Sequence, residues 1–159
     1  MGRDYPAHPL VGVGAIILDE NRVVLVRRGR PPALGQWSLP GGIVELGETM
    51  EEAIVREVEE EVGLKVEVIQ LVSVLDWILV DAAGAAEFHY VLMDFLCRPA
   101  GGALRAGSDV LSACLVPLEA ISQYHLKWET MEVIDHASQC RAGHAACLYL
   151  RRRATTTEP

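Results

Sequence analysis

The sequence predicts an α+β domain in which a mixed sheet carries helices that do not alternate regularly with its strands. Three observations lead there. Apolar runs of strand character recur at residues 11–18, 23–28, 66–80 and 88–97. One strongly patterned helix, 48–62, interrupts them early. Two further helical stretches, 118–124 and 130–142, come only near the end. That order fits α+β or an α/β/α sandwich, built as one domain over residues 1–150.

Each element has a local cause. Residues 1–9 hold two prolines at 6 and 9 and read as an irregular lead-in. The runs 11–18 and 23–28 flank Asp19-Glu20-Asn21-Arg22, a polar turn of hairpin length. Residues 29–40, rich in proline and glycine, read as a loop. Helix 48–62 stops at Gly63, a residue suited to the left-handed position after a helix. Gly84 marks a turn between runs 66–80 and 88–97, and the second of these is rich in aromatic and β-branched residues. A glycine-rich loop at 99–107 leads to a last short strand at 111–116. After Leu150 the chain reads RRRATTTEP, and residues 151–159 are expected to form an unstructured tail.

Composition narrows the functional classes. A formal net charge of −8 argues against a nucleic-acid polymer as partner. The apolar runs are too short to span a bilayer, and Asp76 breaks the second long one, so no membrane role is expected. Cys97, Cys114, Cys140 and Cys147 include no CxxC pair and follow no secretory leader, as expected of reduced thiols in the cytoplasm. Eight of the 22 acids fall within residues 45–61, so the negative charge is local.

Helical phase sorts those acids. At roughly 100° per residue, Glu60 and Glu61 lie roughly 60° and 40° from Glu57, so the three share a face. Ile54, Val55, Val58 and Val62 occupy an adjoining arc suited to packing on the sheet. A solvated acidic face accounts well for Glu51, Glu52 and Glu59. It accounts poorly for Glu57, Glu60 and Glu61, because like charges on one face repel unless a cation sits among them. All-oxygen donors of this kind suit Mg²⁺ or Mn²⁺ rather than zinc. Arg56 is placed to hold one of these carboxylates or to meet a phosphate oxygen. Gly41 and Gly42 allow the backbone to approach a metal closely, with a carbonyl as a further ligand.

Residues 42–64 match, at every fixed position, the pattern Gx5Ex7REUxEExGU with U a bulky aliphatic. That segment resembles the Nudix box. The segments VLVRR and GQWSLPGG before it, and EFHYVLMDF and GSDVLSACLVPL after it, are similar to bacterial members described as ADP-ribose pyrophosphatases or MutT-like hydrolases. The resemblance implies an α/β/α sandwich and Mg²⁺-dependent hydrolysis of a nucleoside diphosphate linked to another moiety. ADP-ribose is slightly preferred. The alternatives are a MutT-like hydrolase of (d)NTPs such as 8-oxo-dGTP and, in another class, a non-catalytic nucleotide-sensing module. By the same resemblance, Glu57, Glu60, Glu61 and the Gly42 carbonyl are metal ligands, and Glu57 or Glu60 is the helix-borne base. Arg56 orients a catalytic glutamate, Glu48 supports the loop, and Arg28 meets phosphate. Asp109 stands where relatives carry a loop glutamate that completes the metal site or acts as base. Homodimers are common in the family. Its usual substrate markers are missing: no proline lies between Gly63 and Pro99, residues 79–81 read Leu-Val-Asp rather than offering a tyrosine, and Leu115 replaces a tryptophan.

Outside the box, Trp37 and Trp77 are candidates for stacking on a base. His89 and Tyr90 lie on opposite faces of their strand, so at most one faces a cleft. His136, Cys140, His144 and Cys147 are spaced along one helix face. Ligands in a line do not easily surround a tetrahedral ion, and Gly143 interrupts the helix, so a zinc site is not expected.

Overall fold

Strand Leu10–Asp19 (β1) is the pivot of the sheet in a computed structural model that describes residues 2–143 and 146–155. It runs parallel to Ala86–Gly102 (β6) from Leu10↔Tyr90 to Ile17↔Cys97. Its far end turns back through the expected hairpin into Arg22–Arg28 (β2). The short strands Trp37–Ser38 (β3) and Gly41–Ile43 (β4) arise within and after the loop predicted at 29–40. The former pairs with β2 and the latter with β1. Leu64–Val80 (β5) and β6 form a long antiparallel pair, and Val110–Pro117 (β7) adds to β2. The main path runs β3-β2-β1-β6-β5-β8, where β8 is Leu148–Thr155. The sheet is therefore mixed, as expected.

Helix Met50–Val62 (α1) begins two residues later than the sequence pattern placed it, because Thr49 and Glu52 close a capping box over its first turn. Gly63 ends it in the left-handed conformation, at φ 70°. Its Ala53, Ile54, Val58 and Val62 pack against Val13, Ala15, Ile17, Phe95 and Cys97 on one sheet face. On the opposite face, helix Trp128–Arg141 (α2) packs Val133, Ile134 and Ala137 against Ile16, Leu18, Leu25 and Leu96. The layers are thus α1, sheet, α2. Residues 118–124, expected as an α-helix, form a 3-10 segment.

Two expectations are corrected. Val55 is exposed, and Ala53 takes its place in the core. The buried arc of α1 is rotated toward Glu57 and Glu61, which lie between Ala53 and Ile54 around the helix. Residues 151–155 do not form a loose tail. They continue β8, which runs parallel to β5 from Ser73↔Leu148 to Val80↔Thr155. Three consecutive arginines read as solvated, yet their long apolar stems cover surface while alternate heads reach water. The partner that makes this segment a strand is the edge of β5, some seventy residues earlier.

Candidate active site

Two adjacent glycines bring the acids of α1 to the sheet. Gly41 pairs with Gly14 and Gly42 with Val13. A Cβ on Gly42 would lie 2.2 Å from Glu57 Oε1, and a Cβ on Gly41 would lie 2.0 Å from the Val13 carbonyl. The Glu57 carboxylate therefore occupies the space that a side chain at 42 would fill. The Gly41 N–H donates to Glu61 Oε2 at 3.0 Å.

Arg56 organises the group. Its Nε and Nη2 donate to the two oxygens of Glu48 at 2.7 and 2.9 Å, and Nη2 also donates to the Ile43 carbonyl. Nη1 donates to Glu57 at 2.8 Å and reaches Glu60 at 3.5 Å. These contacts hold the Glu48 carboxyl down at about 2, chiefly through Arg56 and then the Glu45 N–H. They raise the proton affinity of Arg56, with Glu48 the largest cause. Glu61 is pushed up to about 7, first by burial. Its bond from Gly41 opposes that shift, while the charges of Glu57 and Asp109 add to it and Arg28 opposes it. Glu60 is the outlier: its side chain is 61% exposed, against 15% for Glu57.

The loop ahead of β7 is tied to α1 by the Gly107 N–H, which donates to the Glu61 carbonyl at 2.8 Å. That contact brings Asp109 near the acids, although its carboxylate is engaged by Arg30 at 2.6 Å. Among the described residues, no three His, Cys, Asp or Glu side chains already meet around one point. Glu57 and Glu60 are turned onto Arg56, and Glu61 onto Gly41. The donor chemistry still fits a hard divalent cation, since carboxylates and a carbonyl supply only oxygen.

A cleft of about 410 Å³ opens from these acids along the α2 side of the sheet. Gly14, Arg28, Trp37, Trp77, Tyr90, Asp94 and Asp109 line it, as do Lys127 and Glu129 at the start of α2. Arg28 Nε is buried without a partner among the described residues. Trp77 and Tyr90 are cross-strand partners with rings 5.4 Å apart, and Lys127 Nζ lies 4.9 Å from the Trp77 ring centre. Trp37 stands edge-on to Tyr124 at 5.0 Å, on the cleft rim.

Arg28, Trp37, Gly41, Gly42, Arg56, Glu57, Glu60, Glu61, Trp77 and Asp109 thus line one cleft, while Glu48 holds Arg56 from outside its lining and Gly63 caps the helix. Asp94 and Glu129 were missed. Asp94 breaks the apolar run FHYVLMDFLC, a signal that pattern reading could have used. Its carboxylate accepts from Ser73 at 2.8 Å, overhangs Gly14, and is pushed up to about 6 by burial. Glu129 carries no such mark. Of the series His136/Cys140/His144/Cys147, Cys140 is buried, Cys147 is exposed beyond the helix, and His144 lies outside the described residues.

The profile of the NUDIX domain family matches residues 8–137. The chain belongs to this family. The NUDIX chain is 42% identical over 106 residues to an ADP-ribose pyrophosphatase of Methanocaldococcus jannaschii, covering 67% of this chain and 60% of that one. It is 38% identical over 102 residues to a mouse protein named 8-oxo-dGDP phosphatase, covering 64% of this chain but 29% of the mouse protein. The crystal structure of a MutT NUDIX hydrolase from Burkholderia pseudomallei superposes with a TM-score of 0.70 at 33% identity, over 81% of this chain and 98% of that one. No helix among the described residues is long and apolar enough to cross a membrane.

Proposed function

We propose that this NUDIX chain hydrolyses the pyrophosphate bond of a nucleoside diphosphate linked to another moiety, with ADP-ribose slightly preferred. The observation that carries this reading is the Gly42–Glu57–Arg56 arrangement, which delivers a fixed carboxylate to the mouth of a cleft with an aromatic floor. Glu57, Glu60, Glu61 and the Gly42 carbonyl would hold Mg²⁺ or Mn²⁺, with Asp109 at the margin, and the ion would neutralise the diphosphate and lower the pKa of a bound water. Water attacks one phosphorus, the bridging P–O bond breaks, and ADP-ribose yields AMP and ribose 5-phosphate. Glu57, clamped by Arg56, orients; Glu60, exposed and loosely tied, is the better placed to take the proton from water. Arg28 meets phosphate oxygens, and Trp77 or Trp37 supports the ring system.

A second reading, hydrolysis of oxidised nucleotides such as 8-oxo-dGTP, is favoured by the likeness to the mouse 8-oxo-dGDP phosphatase. Chromatographic detection of the nucleoside monophosphate formed from ADP-ribose, sugar nucleotides, dinucleotides and (d)NTPs including 8-oxo forms separates the two. Turnover of none of them would favour a nucleotide-sensing module. A cytoplasmic location and a homodimer are in keeping with the family resemblance; sedimentation of the purified protein tests the second.

A further inference from the structure

The C-terminal strand β8 lies beyond the residues that the family profile matches, and it reaches a residue that lines the cleft, Glu129. Arg152 on β8 is the register partner of Trp77, which is itself the partner of Tyr90. The three form a row across the sheet on the side facing the start of α2. There Arg152 Nη1 donates to Glu129 Oε1 at 2.6 Å. Glu129 is 4% exposed and lines the cleft.

An ion pair that only anchored β8 to α2 would leave little undone. Here Glu129 Oε2 and Arg152 Nε are both buried without a partner among the described residues. Buried polar atoms of that kind are uncommon and call for an explanation. The charge around them restricts what can approach. A phosphate would face the Glu129 carboxylate, and a cation would face both Arg152 and Lys127. A neutral N–H or O–H donor meets neither objection, and the rings of Trp77 and Tyr90 supply a flat wall for the group that carries it.

We propose that Glu129 and Arg152 form a recognition site for the part of the substrate beyond the diphosphate. Glu129 Oε2 accepts a hydrogen bond from a neutral donor, either an exocyclic amino group of the base or a hydroxyl of the terminal sugar. Arg152 is a positioning residue that keeps the carboxylate aimed into the cleft. The inference rests on the hydrolysis proposed above and names how its substrate is chosen.

The test compares three compounds in Mg²⁺: ADP-ribose, its inosine analogue with a keto group for the 6-amino, and ADP carrying a tetrahydrofurfuryl group without sugar hydroxyls. The wild-type chain is expected to show a KM raised about tenfold to a hundredfold for one of the two analogues, identifying the donor. The paired substitution Glu129→Met with Arg152→Met leaves no uncompensated charge. It should erase that preference through KM while kcat for the disfavoured analogue stays within about threefold. Arg152→Met alone should weaken the preference, and Arg152→Lys should restore part of it, which mere anchoring of β8 would not require. Equal KM values for all three compounds on the wild-type chain would overturn the inference, even if the variants fail to fold. A preference retained in the folded double variant would overturn it too. If nothing is hydrolysed, the proposed reaction falls, and calorimetric Kd values for the same compounds decide the recognition site by the same comparison.

Discussion

Gly42→Ala should separate catalysis from folding. Position 42 has no positive φ, so alanine brings no backbone strain there. Its methyl would start 2.2 Å from Glu57 Oε1, whereas ordinary contact begins near 3.4 Å. The Glu57 carboxylate, at the end of a flexible side chain, must therefore retreat by roughly 1 Å. A displacement of about 1 Å in a catalytic group can cost on the order of a hundredfold in rate. Turnover of ADP-ribose is expected to fall by about that factor, with the melting temperature changed by only a few degrees. The adjacent Gly41→Ala is the control. Its methyl would lie 2.0 Å from a backbone carbonyl on β1 that cannot yield, at φ 156°, so unfolding or poor expression is expected. The measurements are AMP formation under saturating Mg²⁺ and a thermal melt by circular dichroism. Near wild-type turnover in folded Gly42→Ala would refute the placement of Glu57 at the reacting centre.

Glu57→Gln and Glu60→Gln should each cut kcat by orders of magnitude in a folded protein, and wild-type rates in either would remove that residue from the mechanism. Arg56→Lys cannot reproduce the paired bonds to Glu48 together with those to Glu57 and Ile43. We expect a loss of about 1–3 kcal/mol, seen as a drop of several degrees in Tm, together with slower turnover; an unchanged melt and rate would contradict the hub. Burial makes Asp94 hold its proton to about pH 6 in the folded chain, against about 3.9 for an ordinary aspartate. The folded state thus binds more protons between about pH 4 and 6, and stability falls as pH rises through that window. Asp94→Asn should gain at most about 3 kcal/mol over wild type at pH 8 and nothing near pH 3 in urea titrations; an equal difference at both pH values would reject the cause. Removing divalent ions with EDTA should stop hydrolysis while leaving the melt close to unchanged, since Arg56 already ties Glu48, Glu57 and Glu60 together. Full activity after exhaustive chelation would exclude the metal.

Much of this architecture was legible because it is local. The helix carrying Arg56, Glu57, Glu60 and Glu61 announces itself by its period, and Gly63 by its left-handed cap. The phase of that helix was legible only in part. Counting apolar residues put Val55 in the core, whereas packing rotated the buried arc onto Glu57 and Glu61. Local pattern could not see that those two acids are accommodated by glycines on another strand.

The C-terminal arginines make the same point in reverse. Nothing in RRRAT, residues 151–155, marks a strand, because its hydrogen-bonding partner is the edge of β5. Glu129 likewise reads as one more helix-start acid until Arg152 reaches it.

By itself, then, the sequence determined the mixed α+β class, the acidic helix and the oxygen-rich chemistry, all of which depend on residue type and short-range spacing. Tertiary structure alone decided that Gly42 yields its side-chain space to Glu57, that Asp94 faces a cleft, and that the last strand brings Arg152 to Glu129. Those facts depend on strands distant in sequence lying side by side. No local pattern encodes that proximity, because it arises only when apolar faces from the whole chain are buried together.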